Sequence, residues 1–173
     1  AASDGELADA QQLRLAGGRV DATGAGGEGA VHGASSNGHL GMLRWLCDEG
    51  ANLAACDSNG FQPVHHACSE GHVAVVEWIV AKSPTLLHAR TNAGAQPIHY
   101  ACLSGHLTLV RSLVNHGAKL QASNSVGNQP LHLACHEGHL EIAQYLVEEE
   151  DVPLDVRASD DGGGGQPIHH ACM

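Results

Sequence analysis

One hexapeptide pattern returns along this chain at a nearly fixed interval, and that periodicity constrains the fold more than any other feature. Pro63-Val-His-His-Ala-Cys68 recurs as Pro97-Ile-His-Tyr-Ala-Cys102, Pro130-Leu-His-Leu-Ala-Cys135 and Pro167-Ile-His-His-Ala-Cys172, with a weaker copy, Ala30-Val-His-Gly-Ala-Ser35, upstream. The anchoring histidines His32, His65, His99, His132 and His169 are separated by 33, 34, 33 and 37 residues. A Gly-His pair follows seven residues later, at His39, His72, His106 and His139, so two independent markers keep one period. A period in the range of 20–50 residues describes stacked units, each too small to bury its own apolar face.

Each period reads as one small structure. Pro63, Pro97, Pro130 and Pro167 suit the first turn of a helix, where the missing N–H has no intrahelical partner in any case. Gly38, Gly71, Gly105 and Gly138 come about two turns later and suit the left-handed residue that ends a helix. Leu40, Leu43, Leu46 and Cys47, and again Leu107, Val110, Leu113 and Val114, then mark a second amphipathic helix at spacings i, i+3, i+6 and i+7. Gly50-Ala-Asn-Leu and Gly117-Ala-Lys-Leu close that helix. Asp57-Ser-Asn-Gly60, Thr91-Asn-Ala-Gly94 and Asn124-Ser-Val-Gly127 read as turns between copies. Aromatics are only 3% of the chain, so its core must be thin layers of aliphatic and small side chains.

These residues resemble the ankyrin repeat, whose Thr-Pro-Leu-His-x-Ala signature has a period of about 33. The resemblance covers residues 25 to 173, and Leu13-Arg-Leu-Ala-Gly-Gly-Arg-Val-Asp-Ala22 is similar to the tail of an earlier repeat. It implies an all-α solenoid of stacked helix-turn-helix units with hairpin-like turns between repeats. The expected partition is a partial repeat at 1–23, repeats at 24–56, 57–90, 91–123 and 124–160, the last with an insertion, and a truncated repeat at 161–173. The family's Thr is replaced by Gln62, Gln96, Gln129 and Gln166, which removes the hydroxyl that usually bonds the signature His. Gly24-Ala-Gly-Gly-Glu-Gly-Ala30 is expected to form a loose turn, and Gly162-Gly-Gly-Gly165 a mobile one. Ala1 is not Met, and Met173 follows a motif that elsewhere opens a helix pair, so a longer parent protein is expected.

Fourteen histidines and six cysteines raise the question of metal. Nine of those histidines occupy the two repeat markers, however, and in His65-His66-x-Cys68 and His169-His170-x-Cys172 the side chains point in different directions around a helix. No metal site and no cofactor are expected. Cys68, Cys102, Cys135 and Cys172 share one repeat position, and adjacent layers about 10 Å apart exceed the roughly 7 Å reach of a disulfide. They are expected to be free, buried thiols, which fits a reducing, cytoplasmic compartment; Cys47 and Cys56 receive no role. The acidic run Glu148-Glu-Glu-Asp151 lacks the spacing of a calcium loop and reads as a solvated face. Gly162–Gly165 is not followed by Lys-Ser/Thr and is no phosphate loop. With no nucleophile beside a base, the chain is expected not to be an enzyme.

The resemblance implies recognition of another protein along the concave side of the stack. Matched by position, the contact residues are Ser58, Asn59, Phe61, Ser69 and Glu70; Asn92, Ala95, Leu103 and Ser104; and Ser125, Val126, Asn128, His136 and Glu137, with His66, Tyr100 and Leu133 from the position after the signature His. Phe61, Tyr100 and Leu103 are apolar types expected at the centre of a binding patch. The net charge of −11 disfavours nucleic acid and anionic membranes and favours a basic partner segment with apolar anchors. No apolar run approaches the length of a membrane span, so no membrane insertion is expected. Trp45, Trp78 and Tyr145 share a position on the second helices and are read mainly as packing between them. The stretches Ala34–Leu46 and Pro130–Val147 resemble the ankyrin arrays of espin-like actin-bundle scaffolds, one alternative setting. The other is the substrate-recognition or regulatory arm of an ankyrin-bearing acyltransferase or kinase.

Overall fold

The computed structural model describes residues 20–153. Among these the chain forms α1 (Ala30–Ser36), α2 (Leu40–Asp48), α3 (Pro63–Ser69), α4 (Val73–Lys82), α5 (Pro97–Leu103), α6 (Leu107–Asn115), α7 (Pro130–His136) and α8 (Leu140–Gln144), with no strand and one isolated bridge between Thr23 and Gly29. A 3-10 turn at Pro84–His88 follows α4, and a π turn at Tyr145–Glu149 extends α8. Helices of five to ten residues are too short to persist alone in water, so their stability comes from stacking. The first helices α1, α3, α5 and α7 form one packed row, and each is paired with the second helix that follows it.

The sequence dictates both ends of every first helix. Gln62, Gln96 and Gln129 hold extended backbone (φ −98°, −95° and −93°) and Pro takes the first helical position. At the other end Gly38, Gly71, Gly105 and Gly138 have φ between 72° and 80°. The next N–H, from His39, His72, His106 and His139, reaches back to the carbonyls of Ala34, Ala67, Ala101 and Ala134 at 2.8–3.0 Å. This is the glycine-ended closure that satisfies helix-terminal carbonyls. It also turns the chain into the second helix within two residues.

The core repeats like the sequence. Val64, Ile98 and Leu131, then Ala67, Ala101 and Ala134, then Cys68, Cys102 and Cys135 form rows of buried side chains on the first helices. Leu43, Val76 and Val110 and then Leu46, Ile79, Leu113 and Leu146 form the matching rows on the second helices. Leu109, also fully buried, belongs to the third position of the second helix, which the heptad-like stripe read from the sequence did not include.

Two insertions lengthen the period within the described residues, the second by one of the four residues that the 37-residue interval has beyond 33. The 34-residue interval contains Pro84–His88, which replaces the Gly-Ala closure of the other copies and buries Leu86 and Leu87. After α8 the π turn inserts one residue, so Asp151 (φ 52°) stands where Gly50 and Gly117 stand elsewhere. The closing bond survives the shift: Val152 N–H donates to Leu146 at 3.0 Å, as Ala51 does to Leu46 and Ala118 to Leu113.

One expectation fails in the first turn. Gly24–Ala30 is not loose, because Gly24 N–H bonds Glu28 O at 2.9 Å, Gly27 N–H bonds Gly24 O at 3.0 Å, and Ser58 N–H docks on Gly26 O at 2.9 Å. Backbone bonds to the neighbouring turn offset the entropy of its glycines. The expectations placed on Gly162–Gly165, Gln166, Pro167, His169, His170 and Cys172 lie outside the described residues. Among the described residues no helix is long and apolar enough to cross a membrane.

Candidate functional site

Eight of the marker histidines lie in the described residues, and seven of them make hydrogen bonds to backbone groups. Each signature ring accepts its own helix-capping N–H on Nδ1: from Gly29 to His32 at 2.9 Å, Gln62 to His65 at 3.0 Å, Gln96 to His99 at 3.1 Å and Gln129 to His132 at 3.2 Å. That bond fixes the tautomer, leaving Nε2–H to donate onward, from His32 to Ala55 O at 2.9 Å and from His65 to Ala89 O at 3.1 Å. The Gln side chains therefore need not replace the missing Thr hydroxyl, since the backbone N–H holds the ring. The second marker bridges repeats: His72, His106 and His139 donate from Nε2 to Ser36, Ser69 and Leu103 carbonyls at 2.8, 2.9 and 2.9 Å. His65 and His99 are fully buried, and that desolvation pushes each pKa down to about 4 against the weaker pull of carbonyl bonds. Both rings are neutral structural pieces at pH 7.

The turn tips stack as a second ladder beside the helices. Asn92 N–H bonds Asn59 O at 3.0 Å and Ser125 N–H bonds Ala93 O at 2.9 Å, while Asn92 Nδ2 reaches Ser58 O at 3.1 Å. Asp57 Oδ1 accepts the N–H groups of Asn59 (2.8 Å) and Phe61 (2.9 Å), and Asn124 Oδ1 those of Val126 (3.1 Å) and Asn128 (2.9 Å). Burial pushes the Asp57 pKa up, but these two bonds and one from His66 outweigh it and hold the carboxyl below its ordinary range.

Between the tips and the first helices lies a cluster of rings. Phe61 meets Tyr100 with ring centroids 4.7 Å apart and His66 at 5.4 Å. His66 meets His32 edge-on at 5.5 Å, and Tyr100 meets His65 edge-on at 5.7 Å. Offset and edge-to-face contacts at these separations are favourable. The Tyr100 hydroxyl is anchored to Thr91 Oγ1 at 3.1 Å. Phe61, His66, Ser69, Tyr100, Leu103 and Asn128 are half-buried, and Ser58, Asn59, Glu70, Asn92, Ser104, Ser125, Val126, His136 and Glu137 are exposed. Val126, 65% exposed, is one of two large apolar side chains that stand in solvent among the described residues. His136 lies 2.8 Å from Glu137, so that carboxylate is shared with its neighbour.

One expected contact is corrected. Ala95 is only 4% exposed and cannot touch a partner: its methyl is enclosed under the turn, whose ends its own carbonyl ties to Thr91 N–H at 3.0 Å. Phe61 and Asn128, at the equivalent position, are large enough to reach the surface. Sequence reasoning also missed Asp57, whose two accepted bonds shape the tip beside Phe61; its place at the head of Asp-Ser-Asn-Gly was the available signal.

The second-helix aromatics occupy the opposite side and are packed. Trp45 and Trp78 lie partly buried against the core, Trp78 with Arg44 and Lys82 at 5.9 and 5.8 Å from its ring. Tyr145 is buried beneath Arg111 at 4.1 Å and donates its hydroxyl to Glu150 at 2.8 Å. Burial and that carboxylate push its pKa up to about 12. Arg111 also forms two 2.8 Å bonds with Glu149 at the surface, where Glu148, Glu149 and Asp151 of the acidic run are exposed.

The thiols divide by depth. Cys68 and Cys102 are fully buried, which raises both pKa values far above the ordinary thiol range, whereas Cys56 is exposed. A thiolate-selective reagent added to the folded protein at pH 7.5 is expected to label Cys56 rapidly and to reach Cys68 and Cys102 only after denaturation. Peptide mapping of the labelled sites checks this, and native labelling of Cys68 at the rate of Cys56 would refute the packing.

A family model described as ankyrin repeats, in three copies, matches residues 1–88 and 84–160. No curated protein matches the chain.

Proposed function

The chain belongs to the ankyrin-repeat family, generally protein–protein interaction modules, and from that premise we propose that it binds a segment of another protein along the face made by its turn tips and first helices. The observation that carries this reading is the half-buried Phe61–Tyr100 pair, 4.7 Å between centroids, flanked by His66 and rimmed by exposed Ser58, Asn59, Glu70, Asn92 and Ser104. An aromatic centre with a polar rim is the arrangement of a binding hot spot. Leu103, Ser69 and the outer tip residues Ser125, Val126, Asn128, His136 and Glu137 extend the same face into the next layers.

The partner segment is basic with apolar anchors, complementary to a net charge of −11. No catalytic step is assigned to the chain. Seven of the marker histidines are committed to backbone bonds, and Cys68, Cys102 and Cys135 are held protonated by burial. The free buried thiols suit a reducing compartment. The units proposed for the stack are 24–56, 57–90, 91–123 and 124–160.

Selection from a random peptide library on the immobilised array tests the reading. Enriched peptides are expected to carry Lys or Arg beside an aromatic or aliphatic anchor. Phe61→Ala is expected to weaken them about 5- to 30-fold, the equivalent of about 1–2 kcal/mol, mainly through faster dissociation. Glu70→Gln and Glu137→Gln are expected to slow association and to lose that effect at high salt. Enrichment of acidic peptides, or binders sensitive to Trp78→Ala and indifferent to Phe61→Ala, would contradict it.

A further inference from the structure

Glu28, Asp57 and His66 come from three separate stretches of sequence, yet each presents a ligand atom and all three atoms lie within 4.8 Å of one another. We propose that these three side chains form a binding site for a divalent transition-metal ion of the zinc class, clasping the first two turn tips together. Two carboxylates and one imidazole are a donor set that zinc accepts, with bonds of about 2.0–2.2 Å. Three protein ligands leave at least one coordination position open to water or to a partner's side chain.

Two of the three donors are already placed. Asp57 is almost wholly buried, its side chain 4% exposed, and Oδ1 is occupied by the N–H groups of Asn59 and Phe61. Those bonds aim Oδ2 at His66 Nε2, 3.2 Å away. That separation is close to the edge of a tetrahedron with bonds of about 2.1 Å, roughly 3.4 Å, so the pair can chelate with little movement. The His66 ring is held by its contacts with His32 and Phe61, at 5.5 and 5.4 Å. A metal ion would take the place of the hydrogen that His66 and Asp57 now share.

Glu28 completes the set from the preceding turn. Its loop is held against the next tip by Ser58 N–H on Gly26 O at 2.9 Å, and at Gly27 (φ 76°) a Cβ would crowd Ser58 N at 3.1 Å. The Glu28 side chain is exposed, and a change of rotamer can close the remaining distance. The histidine and cysteine that share His66's helix do not compete: His65 bonds Gln62 and Ala89, and Cys68 is fully buried. The site was not legible in the local run His65-His66-x-Cys68, because two of its ligands come from turns that only stacking brings together.

Titration calorimetry of the full chain with zinc chloride, after chelator treatment, is expected to show one saturable site. Glu28→Gln, an isosteric change at an exposed side chain, and His66→Ala are each expected to raise Kd at least about tenfold. His136→Ala, at an exposed histidine beside a different carboxylate, is expected to leave Kd unchanged. Cobalt(II) as a probe should give visible ligand-field bands without the near-ultraviolet thiolate band that cysteine ligation produces. Absence of saturable zinc binding, equal Kd in Glu28→Gln and wild type, or a thiolate band from the single site would overturn the proposal. These outcomes are independent of partner binding.

Discussion

Acidification from pH 7 to pH 4 is expected to remove most of the stability of the array. His65 and His99 have folded-state pKa values of about 4, against an ordinary 6.5. Between those values the unfolded chain takes up a proton on each ring and the folded chain does not, so stability falls as pH falls through that window. Above pH 6.5 both states are neutral and the term vanishes. A shift of this size corresponds to about 3 kcal/mol per ring, or on the order of 6 kcal/mol for the two, comparable to the total stability of many domains. Asp57 acts at the lower end: its depressed pKa adds stability above the ordinary carboxylate range that is lost as pH falls through the folded value.

Urea unfolding followed by circular dichroism between pH 7.5 and 4.5 measures the effect. The slope of unfolding free energy against pH should approach two protons near pH 5 and one proton in His65→Gln. A midpoint independent of pH over that range would show that the rings are not buried as neutral imidazoles.

Gly105→Ala is expected to destabilise the fold by about 2–4 kcal/mol, whereas Gly117→Ala should cost about 1–2 kcal/mol. Both glycines have positive φ, 80° and 91°, so both substitutions incur the left-handed penalty of an L-residue. The difference lies in what the new methyl meets. At Gly105 a Cβ would stand 2.5 Å from the His139 ring, which must move and give up its 2.9 Å bond to Leu103 O. At Gly117 it meets nothing within 4 Å. Equal losses for the two variants in thermal or urea unfolding would mean that the His139 bridge contributes little.

Gly105 and His139 are 34 residues apart, which is why the period of this sequence is informative. A repeat interacts mainly with its neighbours, so every residue that makes a layer-to-layer bond recurs at the layer spacing. The helix pair, the proline starts, the glycine stops, the buried thiol row and the structural role of the marker histidines were all legible for that reason. Phe61, His66 and Tyr100 were legible by position. That they meet as one cluster was not, because ring orientation depends on neighbours in the next layer.

The sequence by itself determined what is local or periodic: where each helix starts and ends, which face of it is apolar, and that the copies stack. Tertiary structure decided what depends on packing between non-equivalent copies. It buried Ala95, because a methyl at that turn position is too short to leave the layer that Phe61 and Asn128 escape. It ordered the glycine-rich first turn, because Ser58 of the next copy supplies a backbone donor. It moved the positive-φ residue from glycine to Asp151, because a π turn shifts the register by one while the closing bond to Leu146 is kept. It also brought Glu28 beside Asp57 and His66, a juxtaposition set by how two turns dock and not by the spacing of any motif.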